Sequence, residues 1–597
     1  MVSRRKLFSM LLMMAVLFFL YMLTQVYREA VNDYDTNEYA TEVTLRRADA
    51  WGGETGTDGE QNDGGRETVL IGREDSPLGN VVAQWCLYAK RPLRCVASPK
   101  EYLARGDTSD AVLCIDPACL SLPEDQQLLK DLSEGDRVII FGGLPETALL
   151  KESPELCRML GIEEVRSEGT VLTGIHLYDG FLLGGEAFYR LNTEEEPVEE
   201  IERTMPWYRL GSGTKTYMDG LTGEIPEQDG VEDRLPLLWR SIQGQAKVFV
   251  VNGACLQDET GIGFLEGMLA ESYSGYLYPM VNAQNLGVSD CPNFASERDE
   301  ILEPLYASGQ RLLLQNIIWP GLTALSEQSG FRMTYFMTPQ FLYKDDTEAD
   351  PDNLVYYLRQ IKEQGGELGW SADSWDGIDM ADKWSRDRAF FDAAESNYLC
   401  TAVCASEQET EELLAFAGEE AVKNVRTMVG EREDFLLSYL SEEITSQKIT
   451  HRADRYTIAD DLRNRSLQTA LAYTNIFLDL ENVFRPQQEA DRWENYFRIA
   501  AGNIETWWKP YGGFEKTTLT ESDRRVRAFL ALDYAYSQEN DRLELRISNR
   551  EDTVYFMLRL HDGEVCSTSG GTAFELEKGF WLISAEEDVV RIEVTAD

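Results

Sequence analysis

Hydrophobic positions along the chain follow four successive rhythms. Arg4, Arg5 and Lys6 precede residues 7–26, a run of 20 positions without a charge. As a helix this run is about 30 Å long, the thickness of a hydrocarbon core. It predicts an N-terminal transmembrane helix, with residues 1–6 in the cytoplasm and the bulk of the chain extracytoplasmic. A cleaved signal peptide would need a small-x-small site, which Tyr27-Arg28-Glu29-Ala30-Val31-Asn32 does not offer. No second apolar run has comparable length, so a single-pass cell-membrane protein is expected. Residues 27–66 are polar, acidic and Gly-rich; they cannot bury apolar area and predict a flexible stalk.

From residue 67 short continuous apolar runs alternate with helical stretches. Thr68-Val69-Leu70-Ile71, Leu93-Arg94-Cys95-Val96, Ala111–Asp116 and Arg137–Gly143 are the runs, and Ser76-Pro77 starts a helix over 78–90. Such runs indicate strands buried on both faces, hence βαβ units and a parallel sheet, over 67–255. Over 256–514 strand–helix units continue and predict a (β/α) barrel. Asp350-Pro351 opens a helix with Leu354, Leu358 and Ile361 on one face, Gly365-Gly366 ends it, and Ser406-x-x-Glu409 is a capping box. From about 515 the period becomes 2, as in Leu543–Ile547, Val554–Leu558 and Val589–Val594, which predicts a C-terminal β-sandwich over 515–597. The fold class is therefore α/β multidomain.

Composition narrows the partners. The chain has 597 residues, with 56 Lys+Arg against 104 Asp+Glu, a net charge of −48. Nucleic acid needs clustered cations to release its counterions, and an anionic leaflet repels such a surface. An amine-bearing polymer is attracted instead. Three His restrict metal chemistry, and ten Cys are far below the density of a disulfide scaffold, so most are expected to be small buried hydrophobes. Gly211-Ser212-Gly213 and Gly261-Ile262-Gly263 with Gly267 miss the spacing of phosphate and dinucleotide loops and read as turns. Asp345, Asp346, Glu348, Asp350 and Asp352 form an acidic loop without the turn glycine of a calcium loop.

The first globular region is similar to flavodoxin-like and glutamine-amidotransferase-like layer domains. The latter resemblance implies a Cys at a strand-to-helix elbow and a later His. Cys114 and His176 are the available pair, but Cys114 sits inside Leu113-Cys114-Ile115, so a buried thiol and a hydrogen-bonded histidine are expected. Gly365-Gly366-Glu367-Leu368-Gly369-Trp370-Ser371-Ala372-Asp373-Ser374-Trp375-Asp376 resembles the second motif of NodB-type polysaccharide deacetylases. The resemblance implies a divalent metal held by two His four apart and an Asp of the first strand, with a second Asp as general base. Here Ser371 and Trp375 stand at the His positions, and Tyr278–Asn285, the counterpart of the first-strand motif, carries no carboxylate. His451 and His561 are too far apart in sequence to rebuild the pair. No metal and no cofactor are expected.

What remains is a barrel mouth expected to carry Tyr278, Asn282, Tyr335, Trp370 and Trp375 as ligand-binding residues, with Tyr343 and Trp384 beside them and Asp373, Asp376 and Asp290 as weak catalytic candidates. Aromatic faces stack on sugar rings, and carboxylates bind hydroxyls or amines. Together with Leu277–Ala283 and Phe484-Arg485-Pro486…Asp491-Arg492-Trp493, the layout resembles a family of membrane-anchored bacterial proteins, domain of unknown function 2194, linked to Pel-type exopolysaccharide clusters. This implies a catalytically degenerate deacetylase-like protein that binds or guides an exopolysaccharide beside synthase components. The alternatives are a carbohydrate hydrolase or deacetylase with an atypical carboxylate site, and a sensor or assembly scaffold. A carboxylate pair across the mouth favours the hydrolase, an aromatic mouth favours binding, and a plugged mouth favours the scaffold.

Overall fold

The computed structural model describes residues 10, 12–22, 67–104, 111–120, 125–133, 135–191, 201–222, 234–345, 347–415, 423–433, 435–539 and 541–595. Residues 10 and 12–22 are helical, and among the described residues no helix is long and apolar enough to cross a membrane. The rest of the expected 7–26 anchor and the whole 27–66 stalk lie outside the described residues.

The first region holds β1 (Thr68–Ile71), β2 (Leu93–Val96), β3 (Val112–Ile115), β4 (Val138–Phe141), β5 (Ile162–Val171), β6 (Gly174–Leu177), β7 (Ala187–Arg190), β8 (Thr204–Leu210), β9 (Lys215–Leu221), β10 (Leu235–Gln243) and β11 (Ala246–Val251). β5 and β8 form a ribbon; the others make one sheet in the order β2-β1-β3-β4-β11-β10-β9-β6-β7, parallel from β2 to β11 and antiparallel beyond. The continuous apolar runs follow from burial on both faces. Val69 and Ile71 enter one core and Leu70 the other; Leu113 and Ile115 separate from Cys114 in the same way, and Ile139 and Phe141 from Ile140. Helix Pro77–Tyr88 begins as the sequence suggests, with the Ser76 hydroxyl accepting from Gly79 N at 3.0 Å.

The middle region contains β12 (Gly275–Met280), β13 (Ala283–Val288), β14 (Thr334–Met337), β15 (Glu367–Ser371), β16 (Ala402–Cys404), β17 (Thr427–Gly430), β18 (Leu437–Tyr439), β19 (Thr445–Lys448), β20 (His451–Arg452) and β21 (Tyr473–Leu478). Nine of them form a sheet in the order β18-β19-β17-β16-β15-β14-β13-β21-β20. β19 and β20 are one extended stretch. Its first half pairs with β17 and its second with β21, and Ile449 and Thr450 donate to Gly430 and Asn475. That stretch brings the two edges of the curled sheet together. Strand alternation then sets the faces: Glu367, Gly369 and Ser371 point inward, whereas Leu368 and Trp370 point out beneath the surrounding helices.

Strand β12 does not belong to the barrel. It pairs antiparallel with the C-terminal strand β24 in the register Tyr278↔Met557. The C-terminal region comprises β22 (Asp533–Glu539), β23 (Arg542–Ser548), β24 (Val554–Leu560), β25 (Glu564–Ser569), β26 (Gly571–Glu577), β27 (Phe580–Ala585) and β28 (Val589–Thr595). They form two four-stranded sheets, β12-β24-β27-β26 and β22-β23-β28-β25, over a shared apolar core.

The three regions are fused by one continuous apolar cluster. Helix Gly261–Ala270 packs against helix Ile458–Leu471 at very close range. A Cβ on Gly263 would stand 2.6 Å from the Ser466 Cα and carbonyl carbon. Gly261, Gly263 and Gly267 are therefore contact-face residues of a helix, not turn residues. Gly211 and Gly213, by contrast, do sit in the turn between β8 and β9, with Gly213 at φ +101°.

Helix Leu519–Ala531 plugs the barrel at the end where the strands begin. Leu519 joins Phe336, Ala402, Val429 and Phe477 in the barrel interior. Thr520 hydrogen-bonds Glu367 at the start of β15, the Ser522 hydroxyl donates to Gln447 at 2.6 Å, and Asp523 accepts from Thr445 at 2.5 Å. Only the end where the strands finish is left to form a site.

Candidate functional site: an acidic barrel mouth

At the finishing end of the barrel, successive strands deliver carboxylates. β13 runs on into Ser289-Asp290, β15 into Asp373, β16 into the Glu409 turn, β20 into Asp454, and β21 into Asp479 and Glu481. β13 and β21 are neighbours in the register Val288↔Leu478, so residues 289–290 lie beside Asp479. The Ser289 hydroxyl donates to Asp479 Oδ1 at 3.3 Å, and Ser289 N to Leu478 O at 3.0 Å. Asp479 also receives the Arg452 guanidinium at 2.7 Å, and Arg452 lies 3.6 Å from Asp454 and 4.0 Å from Glu431. Arg452 thus faces three carboxylates, while Arg485 pairs with Glu481 at 3.1 Å.

Asp290 is the most constrained of them. It is 4% exposed and takes the left-handed conformation, φ 58°, which Asp tolerates better than most side chains. Its carboxyl accepts from Thr338 Oγ1 at 3.3 Å. Burial raises its pKa well above the ordinary carboxylate value, and the charges of Asp479, Asp373 and Glu481 add to that. Asp373 and Glu481 are also held above their ordinary values, chiefly by desolvation and further by Asp479. Cys404 lies among these carboxylates; burial first, and their charges second, keep it a neutral thiol.

The expected aromatic platform is not presented at the mouth. Tyr278 lies on β12, 0% exposed, with its hydroxyl donating to Thr469 O at 2.7 Å. Asn282 precedes β13, at the plugged end, where its Oδ1 accepts from Glu515 N at 3.0 Å. Tyr335 and Trp370 face outward into the cores between sheet and helices, donating to Gln364 at 2.9 Å and Asp387 at 2.7 Å. Trp384 packs edge-on against Trp370, and Tyr343 donates to Asp387 at 2.6 Å. Alternation along β14 and β15 sends Tyr335 and Trp370 away from the barrel axis, whereas Tyr278 sits on a strand of another sheet and Asn282 at the plugged end. Trp375 is half-buried, stacked on Phe341 with centroids 3.9 Å apart, with Arg485 and Arg298 at 4.8 and 5.1 Å from its ring. Asp376 accepts from Lys344 N at 2.5 Å and clamps the loop rather than the mouth.

The residues present do not fit the divalent ion that the deacetylase resemblance implies. The Trp375 ring is committed to Phe341, and the Ser371 carbonyl receives the buried Lys383 ammonium at 2.8 Å, which also pairs with Asp387 at 2.7 Å. His451 is buried against Thr450 and the Asp460 carbonyl. Among the described residues no group of three or more His, Cys, Asp or Glu is placed to hold a metal. In the first region, Cys114 is buried on β3 and His176 lies on β6, five strands along the sheet order, hydrogen-bonded to Glu186 at 2.7 Å; they form no dyad.

The sequence counterpart of the first-strand motif, Tyr278–Asn285, carries no carboxylate. The first barrel strand is β13, and Asp290 follows its end. Asp479, Glu481 and Arg452 were not singled out. The available signal was an apolar strand run ending in a carboxylate, as in Ile476-Phe477-Leu478-Asp479 and Leu286-Gly287-Val288-Ser289-Asp290.

No sequence-family model and no curated protein matches the chain. Among solved structures, Agd3, described as a novel carbohydrate deacetylase, is similar with a TM-score of 0.50 at 9% identity, over 89% of this chain and 99% of that one. A cytoplasmic protein of Salmonella typhimurium LT2 and a ThuA-like protein of Bacteroides uniformis align over 34% and 37% of this chain, and over 98% and 96% of their own, at 11% and 10% identity. Both of those have TM-scores of 0.23 and carry no further weight. The likeness to Agd3 is one of fold.

Proposed function

We propose that this chain is a carbohydrate-binding protein, held at the outer face of the cell membrane by residues 7–26, whose deacetylase-like barrel presents an acidic mouth to an amine-bearing polysaccharide. The observation that carries this reading is the convergence of Asp290, Asp373, Asp479 and Glu481 with Arg452 at the open end of the barrel. These carboxylates still outnumber their two guanidiniums, Arg452 on Asp479 and Arg485 on Glu481 at 3.1 Å, and such an excess attracts ammonium groups and accepts from sugar hydroxyls. The fold likeness to a carbohydrate deacetylase and the net charge of −48 support the same assignment. An exopolysaccharide synthase beside the anchor would feed such a mouth.

A second reading, a glycoside hydrolase, draws support from the carboxylate pair at the mouth and from the lack of an aromatic platform there among the described residues. Asp290, whose pKa burial raises well above the ordinary carboxylate value, adjoins Asp479, which pairs with Arg452, and two carboxyls in unlike environments can serve as acid and base.

One titration tests both. The full chain is mixed with partially deacetylated amino-sugar oligomers, and heat, released acetate and reducing ends are recorded. Saturable heat without product, weakened about tenfold or more in Asp479→Asn, is the outcome expected for binding. Reducing ends lost in Asp290→Asn would replace it with hydrolysis, and no heat from any oligomer would refute both.

A further inference from the structure

A second feature lies outside the barrel. β1 sends its connection to β2 on one side, and the chain then returns past it to β3 on the other, so the loops at the finishing ends of β1 and β3 part there. Ligands of open parallel sheets lodge in such crevices. Here the crevice measures about 770 Å³, within the range of small-molecule sites. Gly142 and Gly253 let its lining side chains pack closely: a Cβ on Gly142 would meet Leu78 Cδ2 at 2.5 Å, and one on Gly253, at φ +139°, would meet Met205 Cε at 2.9 Å.

The lining selects the ligand. Asp116, Glu146, Glu202 and Glu168 supply carboxylates, the last paired with Lys151 at 2.6 Å; Gln257 and the Asn252 carbonyl add amide groups, the Asn252 amino group being held by Pro206 O and Pro236 O, and no Lys or Arg lines it among the described residues. An anion would be repelled, and the start of helix Pro77–Tyr88 offers no remedy, since the Ser76 hydroxyl already occupies Gly79 N. Leu78, Leu144, Met205 and the Tyr208 ring add an apolar wall. Tyr208 is 1% exposed, and its hydroxyl has no hydrogen-bond partner. A crevice with carboxylates, amides and an apolar wall suits a neutral or amine-bearing saccharide.

The crevice also adjoins the helical shell of the barrel. It shares Glu202, Met205, Asn252 and Gly253 with a recess of about 130 Å³ that Ala459, Leu462 and Arg463 also line. Those three belong to helix Ile458–Leu471, which starts four residues after Asp454 of the mouth. At 1.5 Å per residue, Arg463 is roughly 8 Å along the axis from the helix start.

We propose that the crevice at the ends of β1, β3, β4 and β11 is a second saccharide subsite, which holds a further stretch of the same polymer whose amine-bearing part enters the barrel mouth. This rests on the carbohydrate reading above. Two linked sites raise the affinity for oligomers long enough to reach both and leave short ones unaffected.

The test measures binding of amino-sugar oligomers of increasing length to the full chain, to Glu202→Lys and Tyr208→Phe in the crevice, and to Asp479→Asn in the mouth. Glu202 is exposed, and Tyr208→Phe removes an unpartnered hydroxyl, so neither lowers the melting temperature. The expected result is a length-dependent gain in the wild type that both crevice variants reduce about tenfold, with the shortest oligomers bound as before. Length-independent affinity, or long oligomers bound equally well by both crevice variants, would overturn the second subsite and leave the mouth standing. No binding of any oligomer would overturn both.

Discussion

Gly263→Ala tests the joint between the first region and the barrel. The new Cβ would lie 2.6 Å from the Ser466 Cα and carbonyl carbon, and closer still to its oxygen. Carbon pairs rest at about 3.5 Å or more, so helices Gly261–Ala270 and Ile458–Leu471 must part by roughly 1 Å. Overpacking of this kind costs about 1–3 kcal/mol. The separation also weakens two buried hydrogen bonds, Gly263 N to Ser466 Oγ at 2.8 Å and Ser466 Oγ to Thr260 O at 2.6 Å. At about 1 kcal/mol each they add roughly 2 kcal/mol. Alanine returns about 1 kcal/mol of helix propensity over glycine. The net expectation is a loss of about 2–4 kcal/mol. Because a chain of several regions need not unfold in one step, the assay is native-state hydrogen exchange of helix 458–471, read beside a denaturant curve. Faster exchange throughout that helix is expected. Unchanged exchange, or a variant stabilised by the propensity gain alone, would refute the close contact.

Other substitutions address the mouth and its support. For Asp290 the folded-state pKa lies above the unfolded value, so the native state holds the extra proton and stability falls as pH rises from about 4 toward the folded pKa. Asp290→Asn is therefore expected to gain on the wild type as pH rises above about 4 in paired denaturation curves; parallel curves would contradict the burial of its charge. Lys383→Met leaves the buried Asp387 without its cation and is expected to cost about 3–5 kcal/mol in denaturant unfolding. A loss below about 1 kcal/mol would place that pair in water. All ten cysteines are unbridged; Cys566 is exposed and Cys86 is buried with its thiol pushed up to about 12, so iodoacetamide should label Cys566 first, as peptide mapping would show.

Local patterns settled what depends on neighbours in sequence. The capping box at Ser406 and Glu409 forms with bonds of 2.8 and 3.3 Å, helix Leu354–Glu363 buries Leu354, Leu358 and Ile361, and the period-2 segments after 533 are strands. The apolar runs of β1, β3 and β4 announced a sheet covered on both faces, because only such a strand can afford no polar side. The absence of a histidine pair was likewise legible from composition. Tertiary structure decided the rest. Tyr276-Leu277-Tyr278 reads as a buried strand wherever it pairs, and only the distant partner β24 removes it from the barrel. Trp370 and Ser371 are adjacent in sequence, yet alternation across a closed sheet turns one out and the other in. Asp290 and Asp479 are 189 positions apart and become neighbours through the β13–β21 pairing. A mouth made of strand ends exists only after the sheet has curled, and that geometry has no signature in any single stretch of chain.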